Sequence, residues 1–344
     1  MVPASRPISR TGYDAARRQA AVIDRSSRGR IVLSGRDRAS YLQGLLSNDI
    51  MALKAGEGCY AAYLTAQGRM IADLFVYELG DVMLLTLVRD VKDIVLGRFE
   101  QFIFSEDVRL GDVTETFAQI AIVGPRAADV LAQVMEGVSP ASLAALVEHG
   151  NARAQFKGQA AIVARVTDTG EPGFDVFVES AHAEAFTAAL ATLGVAALDA
   201  ATADALRIEA GVPQFHRDMD EETIPLEAGI ESRAISFSKG CYVGQEVIIR
   251  VLHRGHGRVA RKLVGLVLDG GEPPPAGSPI AAEGREVGRV TSSTRSPAVG
   301  RPIALGYVQR DYTAPDTVVA VGDVRAVVTA LPFRDTTPPS SGLP

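Results

Sequence analysis

The last quarter of the chain constrains the fold most. From Val259 onward, strand-like runs at Lys262–Leu268, Glu286–Thr291, Ile303–Tyr307, Thr317–Val321 and Val324–Leu331 follow one another with Gly- and Pro-rich turns between them. No stretch there has the 3.6-residue apolar period of a helix. Strands joined without crossover helices pair antiparallel, so the block reads as a small antiparallel β-barrel or sandwich. Gly270–Pro279 (GGEPPPAGSP) lies between two of these runs and reads as a long hairpin loop, not an interdomain linker.

Upstream the pattern is mixed. A helix is expected around Tyr13–Ile23, a strand at Ile31–Leu33, and a helix from Asp37 through Leu46. Strands at Tyr60–Leu64, Met70–Tyr77 and Val82–Val88, with turn signals between them, lead into a helix over Val91–Phe102. A second block begins with a strand at Phe117–Val123 and two Ala- and Leu-rich helices up to Glu148. Strands at Ala160–Thr167 and Phe174–Val178 and a helix at Ala183–Leu193 follow. There is no regular βαβ alternation, so the class is α+β. The 344 residues hold two or three domains. The Pro/Ser/Gly-rich tail, 334–344, reads as disordered.

Hydrophobic residues make up 47% and charged residues 22%, a globular composition. The net charge of −6 argues against a broadly basic nucleic-acid surface. One local exception runs from Arg250 through Arg254, Arg258 and Arg261 to Lys262, with no acid among them. Two cysteines, Cys59 and Cys241, form neither a disulfide framework nor a four-cysteine zinc or iron–sulfur site, and a reducing cytoplasm is the expected compartment. No apolar run reaches the ~18–20 residues of a membrane span. Residues 1–38 carry nine arginines, but Asp14 and Asp24 weigh against a transit peptide. Phosphate-loop and dinucleotide fingerprints are absent.

The densest chemical constellation is Lys239-Gly-Cys-Tyr-Val-Gly-Gln-Glu246, followed by Arg250, His253, Arg254 and His256. A cysteine in such a positive field is expected to carry more thiolate than usual, and Gly240 and Gly244 allow a tight turn with free backbone N–H groups. The alternative is a loop in which Cys241 is a small buried hydrophobe. Cys241 with His253 and His256 lacks zinc spacing and a fourth ligand, so no metal site is assigned.

These residues closely resemble the K-G-C-[FY]-x-G-Q-E signature of the YgfZ-type folate-binding proteins, within the superfamily of the glycine cleavage T-protein, a tetrahydrofolate-dependent aminomethyltransferase. The resemblance extends to Tyr41-Leu-Gln-Gly-Leu-Leu-Ser-Asn-Asp49, Gly68-Arg-Met-Ile-Ala-Asp-Leu74, Thr169-Gly-Glu171 with Gly173-Phe174, Leu206-Arg-Ile-Glu-Ala-Gly211 and Pro225-Leu-Glu227. It implies a three-domain architecture: two mixed α/β domains and a C-terminal antiparallel β-barrel around a central folate pocket. Residues 1–115 with 200–250 would form the folate-binding core, 116–199 the second domain and 255–333 the barrel.

The resemblance also implies tetrahydrofolate as cofactor, with Glu171 receiving the pterin's N–H groups, Arg207 bracing it, and Tyr63 and Tyr242 as stacking surfaces. Cys241 would be the functional thiol within Lys239, Gly240, Gly244, Gln245, Glu246 and Arg250. The chain would then support iron–sulfur cluster assembly or repair, with assembly proteins or client enzymes as partners and an indirect effect on tRNA modification. The T-protein carries two adjacent aspartates where this chain has Ala72-Asp73. Asp73 is therefore the candidate catalytic carboxylate of an alternative function, folate-dependent aminomethyl transfer or demethylation, if its side chain faces the pocket. An RNA-binding module on Arg250–Lys262 is the third reading.

Overall fold

The computed structural model describes residues 8–253 and 257–333. Three sheets organise it. The first is antiparallel, in the order Gly58–Leu64, Met70–Glu78, Met83–Leu87, Gly29–Ser34 and Arg109–Asp112. The second orders Ala196–Ala197, Ala21–Asp24, Phe117–Val123, Gly173–Glu179, Gln159–Val166 and Asn151–Phe156. The third is a closed antiparallel barrel of Arg261–Leu268, Pro302–Gln309, Arg285–Arg295, Pro279–Ala282, Val318–Val321 and Val324–Thr329. Two mixed α/β layers and a C-terminal antiparallel barrel are the architecture read from the sequence.

Three local expectations differ. The first helix stops at Arg18, and Ala21–Asp24 instead pairs antiparallel with Phe117–Val123. The β-branched Val22 and Ile23 suit that pairing. The N-terminal segment, assigned with the first core on sequence grounds, thus hydrogen-bonds into the second sheet. Gly270–Pro279 is no hairpin: the strands on either side of it, Arg261–Leu268 and Pro279–Ala282, are not neighbours, so it crosses between non-adjacent barrel strands. The tail read as disordered lies outside the described residues. Among the described residues, no helix is long and apolar enough to cross a membrane.

The largest core joins the first sheet to residues far along the chain. Leu33, Leu42, Leu64, Leu74 and Val95 pack with Phe215, Leu226, Ile235, Tyr242 and Ile248. The helix Ala200–Glu209 splits its apolar residues, giving Leu206 to the N-terminal helix and Ile208 to the barrel. That helix is the pivot where the three layers meet.

Candidate active site

Between the first two sheets and the pivot helix lies a cavity of about 380 Å³, within the usual range for small-molecule sites. Strand parity decides what its first wall presents. On Met70–Glu78, Asp73 and Phe75 face the cavity, while Ala72, Leu74 and Val76 are buried in the core behind. The partner strand runs in the register Tyr60↔Phe75, Ala62↔Asp73, Tyr63↔Ala72. Tyr60 therefore shares the cavity face and Tyr63 the core face.

The Tyr60 hydroxyl donates to Asp73 Oδ2 at 2.8 Å. Burial raises the Asp73 carboxyl above the ordinary carboxylate range, against the opposing pull of Arg28, Tyr60 and Arg233. Phe75 is in contact on several sides: its ring centroid is 5.2 Å from Tyr60 and 5.2 Å from His149, and the Arg28 guanidinium lies 5.5 Å from it. Arg233 sits over Tyr60 at 5.3 Å.

The second wall is held by a buried polar chain. Arg25 donates to Asp168 Oδ1 at 2.8 Å and to Asp175 Oδ1 at 3.1 Å; Gln119 Nε2 donates to Asp175 Oδ2 at 2.8 Å. Thr86 Oγ1 donates to Gln119 Oε1 at 2.9 Å and accepts from Arg28 Nε at 3.1 Å. The chain thus links Asp168 and Arg28, which both line the cavity. Burial alone would raise Asp168, but the Arg25 guanidinium more than offsets it and keeps the group ionised. Two polar atoms on cavity-lining residues, Thr169 Oγ1 and His149 Nδ1, are buried without a hydrogen-bond partner.

Residues 5–239 match the family model described as the GCVT N-terminal domain, and residues 261–335 match the glycine cleavage T-protein C-terminal barrel domain. The chain belongs to the glycine cleavage T-protein family. It is 34% identical over 322 residues to an aminomethyltransferase of Rubrobacter xylanophilus, covering 93% of this chain and 85% of that protein. It is 32% identical over 330 residues to an aminomethyltransferase of Streptomyces avermitilis, covering 93% and 87%. The crystal structure of the glycine cleavage system aminomethyltransferase T from Bartonella henselae has the same fold, with a TM-score of 0.85 at 24% identity over 94% of this chain and 89% of that one.

The T-protein-family motifs divide into cavity and scaffold. Asp73 lines the cavity, and the missing second aspartate falls at Ala72, on the core face. Arg207 also lines it, but its guanidinium is committed elsewhere: Nε donates to Asp204 at 2.6 Å, Nη1 to Asp218 and Nη2 to Ser292 Oγ at 2.6 Å. It ties the pivot helix to the following loop and to the barrel.

Glu171 does not line the cavity; it accepts from Arg17 Nη1 at 2.6 Å. Arg17 also binds the buried Glu209, which accepts from Tyr13 at 2.7 Å and from the Ser296 hydroxyl. The acids of T-G-E and L-R-x-E-A-G thus meet in one interdomain knot. The cavity's own carboxylates include Asp73, Glu148 and Asp168.

Tyr63 and Tyr242 are not stacking surfaces of the cavity. Tyr63 packs edge-on to Phe99 in the core at 5.2 Å, and the buried Tyr242 carries the Lys239 ammonium 5.0 Å from its ring. Lys239 Nζ donates to the carbonyls of Gln43, Leu46 and Asn48 at 2.6, 2.6 and 2.9 Å. Burial pushes its pKa down to about 8. The lysine fastens two loops together and its hydrogen bonds go to carbonyls, not to the Cys241 thiol.

Cys241 is exposed and lies outside the cavity. Gly244 has φ +86, and a Cβ there would come within 2.5 Å of the Thr65 carbonyl, so this turn requires glycine; Gly240 faces open space. Gln245 and Glu246 open the helix Gln245–His253, and Glu246 pairs with Arg250 at 2.9 Å. In the basic stretch, Arg261 is bound to Glu227 at 3.1 Å, and Arg254 and His256 lie outside the described residues.

Sequence reading missed Tyr60, Phe75, His149, Asp168 and Thr169. Strand parity from Asp73 identifies Phe75, and the hairpin register identifies Tyr60. His149 reaches the cavity from a turn through sheet-on-sheet packing, which leaves no local pattern; Thr169 opens the T-G-E motif, but the motif does not say which of its side chains faces the cavity. A larger cavity of about 690 Å³ lies between the 216–223 loop and the barrel; of the residues singled out by sequence it is lined by Arg261 of the basic stretch and by none of the candidate folate-site residues. Arg217 lines both cavities.

Proposed function

We propose that the 380 Å³ cavity binds a reduced folate and that the chain performs folate-dependent one-carbon transfer of the aminomethyltransferase type, with Asp73 as its catalytic carboxylate. The observation that carries this reading is the Tyr60–Asp73 hydrogen bond on the cavity face beside Phe75. Family membership and relatives named aminomethyltransferase agree with it. Aminomethyltransferases of this family use tetrahydrofolate.

The residues fit such a ligand. A pterin is a flat ring with a polar edge, and Phe75 and Tyr60 offer aromatic surface beside Asp73 and Asp168. The exposed guanidinium of Arg233, and that of Arg217 beyond its 2.8 Å pair with Asp204, would hold glutamyl carboxylates. The unpartnered Thr169 Oγ1 is the kind of buried group a bound ligand satisfies. A reduced folate supplies the nitrogens that carry the one-carbon unit. Asp73 supplies the base: half-buried, raised in pKa and oriented by Tyr60, it is suited to take a proton from an ammonium donor and return it.

A second reading, YgfZ-type support of iron–sulfur cluster assembly or repair, is favoured by a different observation. The Cys241 thiol is exposed on its own loop, away from the cavity and open to a partner's thiols or cluster. In this reading folate binding is shared, and tRNA modification is affected indirectly.

One experiment separates the two. A deletion strain is complemented with wild type, Asp73→Asn or Cys241→Ala, and both one-carbon transfer and iron–sulfur enzyme activities are assayed. Loss with Asp73→Asn alone supports the first reading. Loss of iron–sulfur enzyme activity with Cys241→Ala alone supports the second, and equal rescue by both variants contradicts both.

A further inference from the structure

His149 enters the cavity in a conformation that L-residues avoid. Its φ is +62, in the left-handed region. Two backbone contacts hold it there: its N–H donates to the Arg165 carbonyl at 3.1 Å, and its own carbonyl lies so near Gly58 that a Cβ on that glycine would come within 2.5 Å. The ring lies against Phe75, with centroids 5.2 Å apart and planes at 47°. Nδ1 is buried and has no hydrogen-bond partner; the nearest carboxylate oxygen, Glu148 Oε1, is 3.8 Å away, beyond hydrogen-bond reach, and already accepts from the Thr167 N–H. The other unpartnered buried atom of this cavity, Thr169 Oγ1, comes from the turn between Gln159–Val166 and Gly173–Glu179, two strands of the sheet that the strand following His149 also joins.

Backbone strain, an aromatic neighbour and an orphaned ring nitrogen meet at one side chain. A buried polar atom left unsatisfied is costly, and it persists where something else satisfies it. We infer that His149 is a specificity-determining residue whose Nδ1, with Thr169 Oγ1 as second contact, hydrogen-bonds the polar edge of a pterin lying against Phe75. This rests on the folate reading of the cavity and adds which edge atoms of the chain recognise the ring. The imidazole is suited to the task as a neutral group: burial first, and Arg233 second, push its pKa down to about 4, with Asp168 pulling the other way. It therefore acts by donor and acceptor pattern and not by charge.

The test uses two probes that differ at that edge, 5-formyltetrahydrofolate with a 4-oxo group and methotrexate with a 4-amino group. Binding is measured by calorimetry for wild type, His149→Gly and His149→Asn. Glycine accepts the left-handed backbone, so the variant keeps its fold, verified by an unchanged thermal midpoint; asparagine tolerates that backbone and restores a polar atom. We expect His149→Gly to weaken 5-formyltetrahydrofolate binding about tenfold, the scale of one lost buried hydrogen bond. Its preference between the two probes should narrow, and His149→Asn should recover part of it. In wild type, the His149 Nδ1 ¹⁵N resonance should move on adding 5-formyltetrahydrofolate. If wild type binds this folate while His149→Gly keeps the same affinity and preference and the resonance does not move, the inference fails and the folate reading stands. If wild type binds neither probe, both fail together.

Discussion

The Tyr60 hydroxyl donates to Asp73 across a hairpin, at 2.8 Å, on the one face of the first sheet that opens to the cavity. The bond stabilises the ionised carboxylate against the burial that raises its pKa. Tyr60→Phe removes the donor and keeps the ring over which Arg233 lies. The Asp73 pKa then rises further. The acid limb of the pH–rate profile for one-carbon transfer should move to higher pH, and the plateau rate should fall about tenfold. An unshifted acid limb would show that Asp73 is not the titrating base.

The Glu209 knot makes a different prediction. Its carboxylate is buried and joins Tyr13 and Arg17 to Ser296 of the barrel region. Glu209→Ala leaves Arg17 partly buried with Glu171 as its remaining carboxylate and strips the partner from the Tyr13 and Ser296 hydroxyls, a loss of about 2–3 kcal/mol. Urea denaturation should register that loss. Glu171→Ala should also act chiefly on stability, by a smaller amount, and leave folate affinity within about twofold, the reverse of the pattern expected of a pterin-binding carboxylate.

Arg207 is the point where helix, loop and barrel are tied by one guanidinium. Lysine cannot reproduce three donations in a planar fork. Arg207→Lys should destabilise the fold and raise proteolytic nicking near residues 212–223 before it abolishes folate binding, as followed by limited digestion with and without folate.

His149 ties stability to pH. The ordinary histidine pKa is 6.5, and burial lowers this one to about 4. Between those values the unfolded chain binds the additional proton, so stability falls as pH drops through that window. The full effect is about 3 kcal/mol at its acid end. Urea midpoints at pH 7 and pH 4.5 should differ less for His149→Asn than for wild type.

The barrel was legible as a class because five of its six strands carry their own apolar runs and turn residues; the short strand Pro279–Ala282 and the pairing of Arg261–Leu268 with strands far along the chain were not, because neither leaves a local pattern. Asp73 was legible because it stands where the T-protein carries its aspartate pair; which face of its strand opens to the cavity is set by packing between distant segments. Tyr60 is not legible as the cavity tyrosine in place of Tyr63, because the hairpin register, which puts Tyr60 opposite Phe75, is not written in either strand alone. Glu171 and Arg207 stand in motifs shared with folate enzymes, yet here their side chains are spent on Arg17 and on Asp204, Asp218 and Ser292. A motif marks a residue that matters without saying whether it touches ligand or scaffold. The acidic net charge hid the five guanidiniums of Arg25, Arg28, Arg207, Arg217 and Arg233 that gather round one cavity from two distant stretches of chain, 25–28 and 207–233.

The most direct test of the account is a crystal structure of the protein grown with 5-formyltetrahydrofolate. The account predicts the pterin in the cavity lined by Asp73, Phe75 and Thr169. Folate found only in the larger cavity beside the barrel, or a central cavity filled by solvent at saturating folate, would contradict it.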